Sequence, residues 1–372
     1  MTAVVLATVR MLEFLDGGGH FWVYMQYAEG LRRQGYDVYV LDTFTGQRAA
    51  EPDAESVARF LERMAAHGLR DKAIIAVDRV DDRPRYVAVS EDDANDLFRD
   101  ADALINFNYR LPGDVVSAFR RSALVDIDPG LLQYWLSRRL LAPAPHDAYF
   151  TTGEAVSGDG GLDWVRIRPP VCLETWPYTY RPEASTFTTV STWWGHKEYV
   201  GTNESYFDNN KRASYLRFLE LPAHTDQALE LALYLADADE PDRRLLEGHG
   251  WRVRHSREVA GTPRTYQAYI QGSRGEFSCA KPSCEHFQNA WVSDRSLCYL
   301  ASGKPVVAQY TGPSSYLPDG AGMFRFRTIA DAARAFEAIN GDYERQCRLA
   351  RELAEQYFDA KDVTRRIMER TL

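Results

Sequence analysis

The chain has 372 residues, 45% of them hydrophobic and 26% charged, which is ordinary for a globular protein and suggests two domains of roughly 100–200 residues each. Its 44 basic and 53 acidic residues give a formal charge of −9, and this argues against a protein whose main business is duplex nucleic acid, because phosphate binding wants a net basic face. The cysteines, Cys172, Cys279, Cys284, Cys298 and Cys347, are odd in number and form no CxxC pair, so they read as reduced thiols and not as a disulfide framework or a metal site. No window approaches the roughly 18 apolar residues that span a bilayer. Arg10, Glu13 and Asp16 interrupt the short apolar start, so it does not read as a signal peptide. A soluble, cytoplasmic protein with no nucleic-acid partner is expected.

In chain order, Ala3–Thr8 is an apolar run suited to a buried strand. Asp16–His20 is a glycine-rich turn. Phe21–Gln34 carries Trp22, Met25, Ala28 and Leu31 at helical spacing, with Arg32 and Arg33 outward and Gly35 as the cap. Asp37–Leu41 is a second strand, and this βαβ unit opens a parallel doubly wound sheet. The pattern then predicts helices over Ala54–His67, Asp92–Ala101 and Val115–Arg121. Strands are predicted at Ala73–Val77, Ala103–Asn108, Ala123–Ile127 and, last in this half, Tyr149–Thr151. Arg168–Pro182 holds four prolines and no period, which marks a domain boundary. Beyond it, strands are expected at Thr186–Ser191, Leu229–Leu235, Trp251–Arg254, Glu276–Ser278 and Pro305–Gln309. Helices are expected at Asn210–Leu221, Pro241–Gly250, Pro263–Gln271, Asp294–Ser302, Ile329–Ile339 and Tyr343–Tyr357. The fold class is α/β, with two facing Rossmann-like domains and a central cleft.

Four stretches could carry chemistry. Gly17, Gly18, Gly19 and His20 lie between a strand and a helix, where glycine lets a ligand approach the backbone near a helix N-terminus, or simply serves a tight turn. His20 falls at the sheet edge where open α/β folds bind ligands. Asp126 and Asp128 end a strand before a Pro-Gly turn. Either could orient His20 as a general base, the pair could hold a divalent metal, or both could cap the turn. Asn106 and Asn108 end the neighbouring strand. Ser191–Lys197, with Thr192, Trp193, His196 and Lys197, offers hydroxyls and a cation at a strand end, suited to phosphate or to a packed surface loop. Ser293, Asp294, Arg295 and Ser296 open a helix. Its free N–H groups and Arg295 make a diphosphate site, with Lys281 in reach of the same anion.

These stretches carry a resemblance. GEFSCAK at Gly275–Lys281, SDRSLCYLASGKPVV at Ser293–Val307 and DYERQCRLARELAEQYFDA at Asp342–Ala360, with the N-terminal GGGHFWVYMQYAEGLRRQGYDVYVLD, resemble group 1 glycosyltransferases of the GT-B fold. More narrowly they resemble the spore-maturation (CgeB-like) glycosyltransferases and their actinobacterial relatives. The resemblance implies an acceptor domain over residues 1–172, a nucleotide-sugar domain over 173–359 and a last helix, 360–372, that crosses back to the first domain. It implies transfer of a sugar from a nucleoside diphosphate (UDP, TDP or GDP) to a small-molecule acceptor such as a secondary metabolite, with no metal or cofactor required. Ser293–Ser296 would hold the diphosphate or ribose, and His255 and Ser256 would sit near the base. Group 1 enzymes carry two glutamates where this chain has Ala290 and Cys298, so the sugar-holding carboxylate would be either absent or replaced by Asp294. A similarity to inverting natural-product glycosyltransferases makes His20 the base, aided by Asp126 or Asp128. The rival readings are a nucleotide-sugar epimerase of the same fold and a degenerate, non-catalytic binding subunit.

Overall fold

In the computed structural model, which describes residues 2–45, 51–77, 84–156, 160–195, 199–201 and 206–372, the first half builds an eight-stranded sheet. Its strands are β1 (Ala3–Val9), β2 (Asp37–Phe44), β3 (Ala73–Val77), β4 (Arg85–Val87), β5 (Ala103–Asn106), β6 (Ser122–Asp126), β7 (Ala148–Thr151) and β8 (Trp164–Arg166). They lie in the order β4-β3-β2-β1-β5-β6-β7-β8, and all pairs are parallel except β3 with β4. Val4, Val5, Leu6 and Ala7 are fully buried, as expected of a strand covered by helices on both faces. The order reverses between β1 and β5, so the crevice for a ligand lies at the carboxyl ends of those two strands.

The second half builds a parallel sheet from β9 (Thr186–Thr192), β12 (Ala228–Tyr234), β13 (Arg252–His255), β14 (Gly275–Ser278), β15 (Val306–Gln309) and β16 (Met323–Phe326), with a small antiparallel pair, β10 (Tyr199–Gly201) and β11 (Tyr206–Asp208), beside it. The order is β13-β12-β9-β14-β15-β16, and its reversal falls between β9 and β14. Phe187, Tyr215, Phe277, Phe326 and Phe336 fill one face of this sheet. Among the described residues, no helix is long and apolar enough to cross a membrane.

The alternation predicted from sequence is present, with local differences. The first helix starts at Gly18 and runs to Arg32, so the glycine run is partly helical. The helix expected over Asn210–Leu221 is only Lys211–Leu216. Phe218 and Leu221 then bond three residues back, and Pro222 disfavours helix in the residue before it. The helix expected at Val115–Arg121 is the shorter Gly113–Ser117. Tyr149 does not open the last strand of its half, because β8 follows it.

The two sheets meet along the first helix. Trp22 Nε1 donates to the Pro263 carbonyl at 3.1 Å. A Cβ on Gly18 would lie 2.3 Å from the Thr262 carbonyl oxygen. The glycine signal was a close backbone approach, and the approaching group is this chain's own second half. Gln26 bridges further, donating to Cys298 Sγ at 3.6 Å and accepting from the Cys172 N–H at 2.8 Å. The chain crosses between the halves twice, side by side. The Val171 N–H donates to Phe358 O at 2.7 Å, and the Ala360 N–H to Val171 O at 3.0 Å. The last helix, Ala360–Thr371, then lies on the first. Gly30 has no room for a Cβ, which would sit 2.6 Å from Ala360 O, and Gln34 donates to Thr364 Oγ1 at 2.6 Å.

Candidate active site

Both crevices open onto the same cleft. From the first half comes the loop after β1. Asp42, at the end of β2, holds it by accepting from Thr8 Oγ1 at 2.8 Å, the Met11 N–H at 3.0 Å and the Leu12 N–H at 2.9 Å. His20 follows in the first turn of its helix. Its Nε2 donates to the Val9 carbonyl at 2.7 Å, and its ring meets the edge of Tyr24 with centroids 5.4 Å apart. Burial pushes the His20 pKa down. The ring is therefore neutral with its proton on Nε2, which leaves the Nδ1 lone pair to take a proton.

Asp126 does not orient His20. Its Oδ1 accepts from Tyr109 Oη at 3.2 Å and the Asp128 N–H at 2.9 Å, and its Oδ2 from Gln133 Nε2 at 2.9 Å and Thr151 Oγ1 at 2.7 Å. With four donors satisfied and no exposure, this carboxylate knits the turn from β6 into the helix Leu131–Ser137. It has no lone pair left for a divalent ion, so Asp126 and Asp128 do not form the metal pair their spacing allowed. Among the described residues no group of three or more His, Cys, Asp or Glu is placed to hold a metal. The imidazole is oriented by a main-chain carbonyl instead.

Burial pushes both Asp42 and Asp126 up to about 6 from the ordinary 3.8. A carboxyl raised in the fold stabilises fully below its unfolded pKa and loses that stabilisation as pH rises through the folded one. Glu13, Glu29 and Asp242 are shifted the other way, below the usual range, and their contribution disappears in acid. The melting temperature is therefore expected to peak near pH 4 and to fall between about pH 4 and 6, where on the order of 2–3 kcal/mol per raised carboxyl is lost. A melting temperature that climbed steadily from pH 5 to 8 would contradict this.

The second half contributes cations. Lys211 opens the short helix after β11, behind the Asn210 cap that accepts from the Ala213 N–H at 3.0 Å. It is 9% exposed, and among the described residues no carboxylate pairs with it. Burial, then the charges of Arg295 and Lys281, push its pKa down to about 7. Its Nζ lies 5.9 Å from the Trp291 ring centre. Lys281 directly precedes the helix Pro282–Phe287 that follows β14. Asp294 is raised by burial and lowered in turn by Arg295 and Lys211. The Tyr24 hydroxyl is pushed up by burial, then by Asp42, Asp128 and, from across the cleft, Asp294. Burial, then Asp294 and Asp126, push the Tyr27 hydroxyl up as well. Tyr24, Asp128, Asp294, Lys211 and Lys281 are thus linked through their charges. Of these, Lys211 and Tyr24 were not singled out from sequence.

Other expected contacts go elsewhere. Arg295 is turned into the sheet, with Nε 2.6 Å from Glu276 Oε1 and Nη1 2.8 Å from Val190 O. Its two engaged groups bind β14 and β9, so the guanidinium braces strands where a diphosphate contact was expected. Ser293 caps its helix through the Arg295 N–H at 3.3 Å, and Ser296 is buried. Trp193 is fully buried with Nε1 bound to Asp242 at 2.8 Å, while Thr192 is exposed. Gly17 is half-buried before the first helix, and Gly19 faces the Tyr266 ring. His196 and Lys197 lie outside the described residues. His255 is engaged at both nitrogens, by Leu235 O at 3.1 Å and the Arg257 N–H at 3.2 Å, and Ser256 begins a helix, Ser256–Ala260. Beside them the exposed Tyr234 ring carries Arg257 at 4.8 Å, an aromatic face at the ends of β12 and β13. Cys298 and Ala290 are buried.

No family model matches the sequence, and none of the curated proteins does. The three-dimensional likeness is end to end. An alpha-glucosyltransferase in complex with UDP and a 13-mer DNA containing a central A:G mismatch matches at 14% identity and TM-score 0.61, over 99% of both chains. Sucrose-phosphate synthase (tll1590) from Thermosynechococcus elongatus matches at 13% identity and TM-score 0.58, over 99% of this chain and 98% of that one. Anabaena Alr3699/HepE in complex with UDP and glucose matches at 12% identity and TM-score 0.59, again over 99% and 98%. The fold is GT-B.

Proposed function

We propose that the protein is a glycosyltransferase that moves a sugar from a nucleoside-diphosphate donor to a small-molecule acceptor. The observation that carries the reading is Lys211, a buried cation without a carboxylate partner among the described residues, beside Lys281 in the cleft of a GT-B fold. Leaving a cation there is costly unless an anion arrives, and a departing diphosphate is such an anion. The domain assignment, 1–172 for the acceptor, 173–359 for the donor and 360–372 crossing back, belongs to this proposal. So does kinship with the spore-maturation glycosyltransferases, which rests on the shared motifs.

In the proposed reaction His20 Nδ1 takes the proton from the acceptor hydroxyl. The acceptor oxygen bonds to the anomeric carbon as the bond from that carbon to the diphosphate breaks. The leaving charge settles on Lys211 and Lys281, and Asp294 holds the sugar hydroxyls. No resident cofactor is called for. His20→Ala is expected to lower turnover by about 10²–10⁴ while leaving the donor KM in place. The wild-type rate should fall in acid through a pKa below the ordinary 6.5. A loss under tenfold would remove His20 as the base.

The test of the whole reading is a thermal-shift series with UDP, TDP, GDP, ADP and CMP, each with Mg²⁺ and with EDTA. At about 100 times its dissociation constant a ligand adds about 2.7 kcal/mol. UDP heads the series because two of the solved structures named above, the alpha-glucosyltransferase and HepE, hold UDP. A selective shift that survives EDTA is expected. No shift with any nucleotide would favour the non-catalytic binding subunit, a reading that the residues Ala290 and Cys298 support.

A further inference from the structure

The turn that Asp126 knits has a second side. Tyr109, whose hydroxyl also accepts from the Ile127 N–H at 3.1 Å, forms one wall of a pocket of about 310 Å³ with Arg110, Arg139, Leu140, Leu141 and Ala142. That volume is at the lower end for a small-molecule site. The helix Leu131–Ser137 ends here in a left-handed turn. The Arg139 N–H donates to Leu136 O at 3.0 Å and the Leu140 N–H to Trp135 O at 2.9 Å, with Arg139 at φ 56°. Glycine is the ordinary residue at that position, and the residue after it ordinarily packs back on the helix. Here the position carries an arginine, and Leu140 is left 60% exposed.

Arg110 is held on the other wall by its N–H, which donates to Asn108 Oδ1 at 3.0 Å. Among the described residues neither the Arg110 nor the Arg139 guanidinium has a hydrogen bond or an ion pair. Other exposed arginines do find a carboxylate, as Arg217 does with Glu285 and Arg365 with Asp362.

We propose that this pocket is the anion subsite of the acceptor. Arg110 and Arg139 grip one phosphate or carboxylate group, and Leu140, Leu141 and Ala142 lie along its apolar body. Two planar guanidinium forks suit such an oxyanion. Tyr109 ties the pocket wall to the Asp126–Asp128 turn, so an acceptor anchored here sits against the turn that reaches the cleft. The inference rests on the glycosyltransferase reading and narrows its acceptor to an anionic, partly apolar small molecule.

The experiment titrates phenyl phosphate, benzoate and neutral benzyl alcohol against the full chain in saturating UDP, read by saturation-transfer NMR. UDP keeps the probes off the Lys211 site. One or both anions are expected to bind at least tenfold more tightly than benzyl alcohol, and which one binds separates phosphate from carboxylate. The Arg110→Gln/Arg139→Gln variant should lose at least tenfold in anion affinity with its UDP shift intact. Arg139→Gly suits the left-handed backbone, so it should melt higher while binding the anion more weakly, which no folding defect explains. Equal anion binding in wild type and the double variant, or no binding of either anion, overturns the subsite. A wild type without a UDP shift removes the transferase reading instead. Arginine-dependent anion binding would survive that result, and its absence would end both.

Discussion

Arg295→Met is expected to lower the stability of the fold by about 3–5 kcal/mol, the range for breaking one side of a buried ion pair. Arg295 is 6% exposed and Glu276 is fully buried. Glu276 Oε1 takes the Arg295 Nε, and Oε2 has no partner among the described residues. Removing the cation strands a carboxylate between β9 and β14 and also frees the Val190 carbonyl. The melting temperature should fall by roughly 10 °C. Arg295→Met combined with Glu276→Met should recover most of the loss, because apolar residues of similar volume often replace a buried pair at little cost. Urea unfolding of the three variants measures this. If Arg295 served a diphosphate foremost, the single variant would keep its stability and lose its UDP shift.

Lys211→Met is expected to do the reverse. UDP affinity should drop by about 10–100-fold and turnover by about 10²–10³, the scale for removing one preorganised charge from a developing anion. Stability should hold or rise, because a buried cation whose pKa has been pushed down to about 7 is a standing cost to the free protein. The same shift has a signature in binding. Near pH 7 the free lysine is part neutral, and the arriving diphosphate draws a proton onto it. Calorimetry in buffers of different ionisation enthalpy should show proton uptake with UDP, and affinity should weaken as pH rises above 7. A Lys211→Met protein with an unchanged UDP shift would place the diphosphate elsewhere.

The strands that sequence located best are those buried on both faces. β3 runs over Ala73–Val77, as its apolar run indicates, and β1 and β9 differ from expectation by one residue at the end. β4, β8 and β16 escaped because three or four residues are too few to show a period. The site was legible at its edges and not in its pairings. His20 and Asp126 do share an edge, yet Asp126 is claimed by Tyr109, Gln133 and Thr151, partners that register and turn geometry choose. Arg295 looked like an anion ligand because Glu276 stands on an adjacent strand, out of sight along the chain. Lys211 left one faint signal, two cations directly after an Asn-Asn cap. Its burial comes from packing against Trp291 and the β14 loop, which no local window contains.

The order of synthesis meets the order of packing awkwardly in this chain. The first sheet is complete once β8 has been made, but Ala360, Val363, Ile367 and Met368 belong to its core. At about 5–20 residues per second, tens of seconds pass before that helix arrives to cover Gly30 and its neighbours. During that interval the nascent first half shows water the apolar stripe that Ala360, Val363, Ile367 and Met368 later cover. The half made first is therefore finished last. A nascent chain with residues up to about 350 outside the ribosome would carry a folded second sheet beside an unsealed first one, and that intermediate is the one chaperones should find.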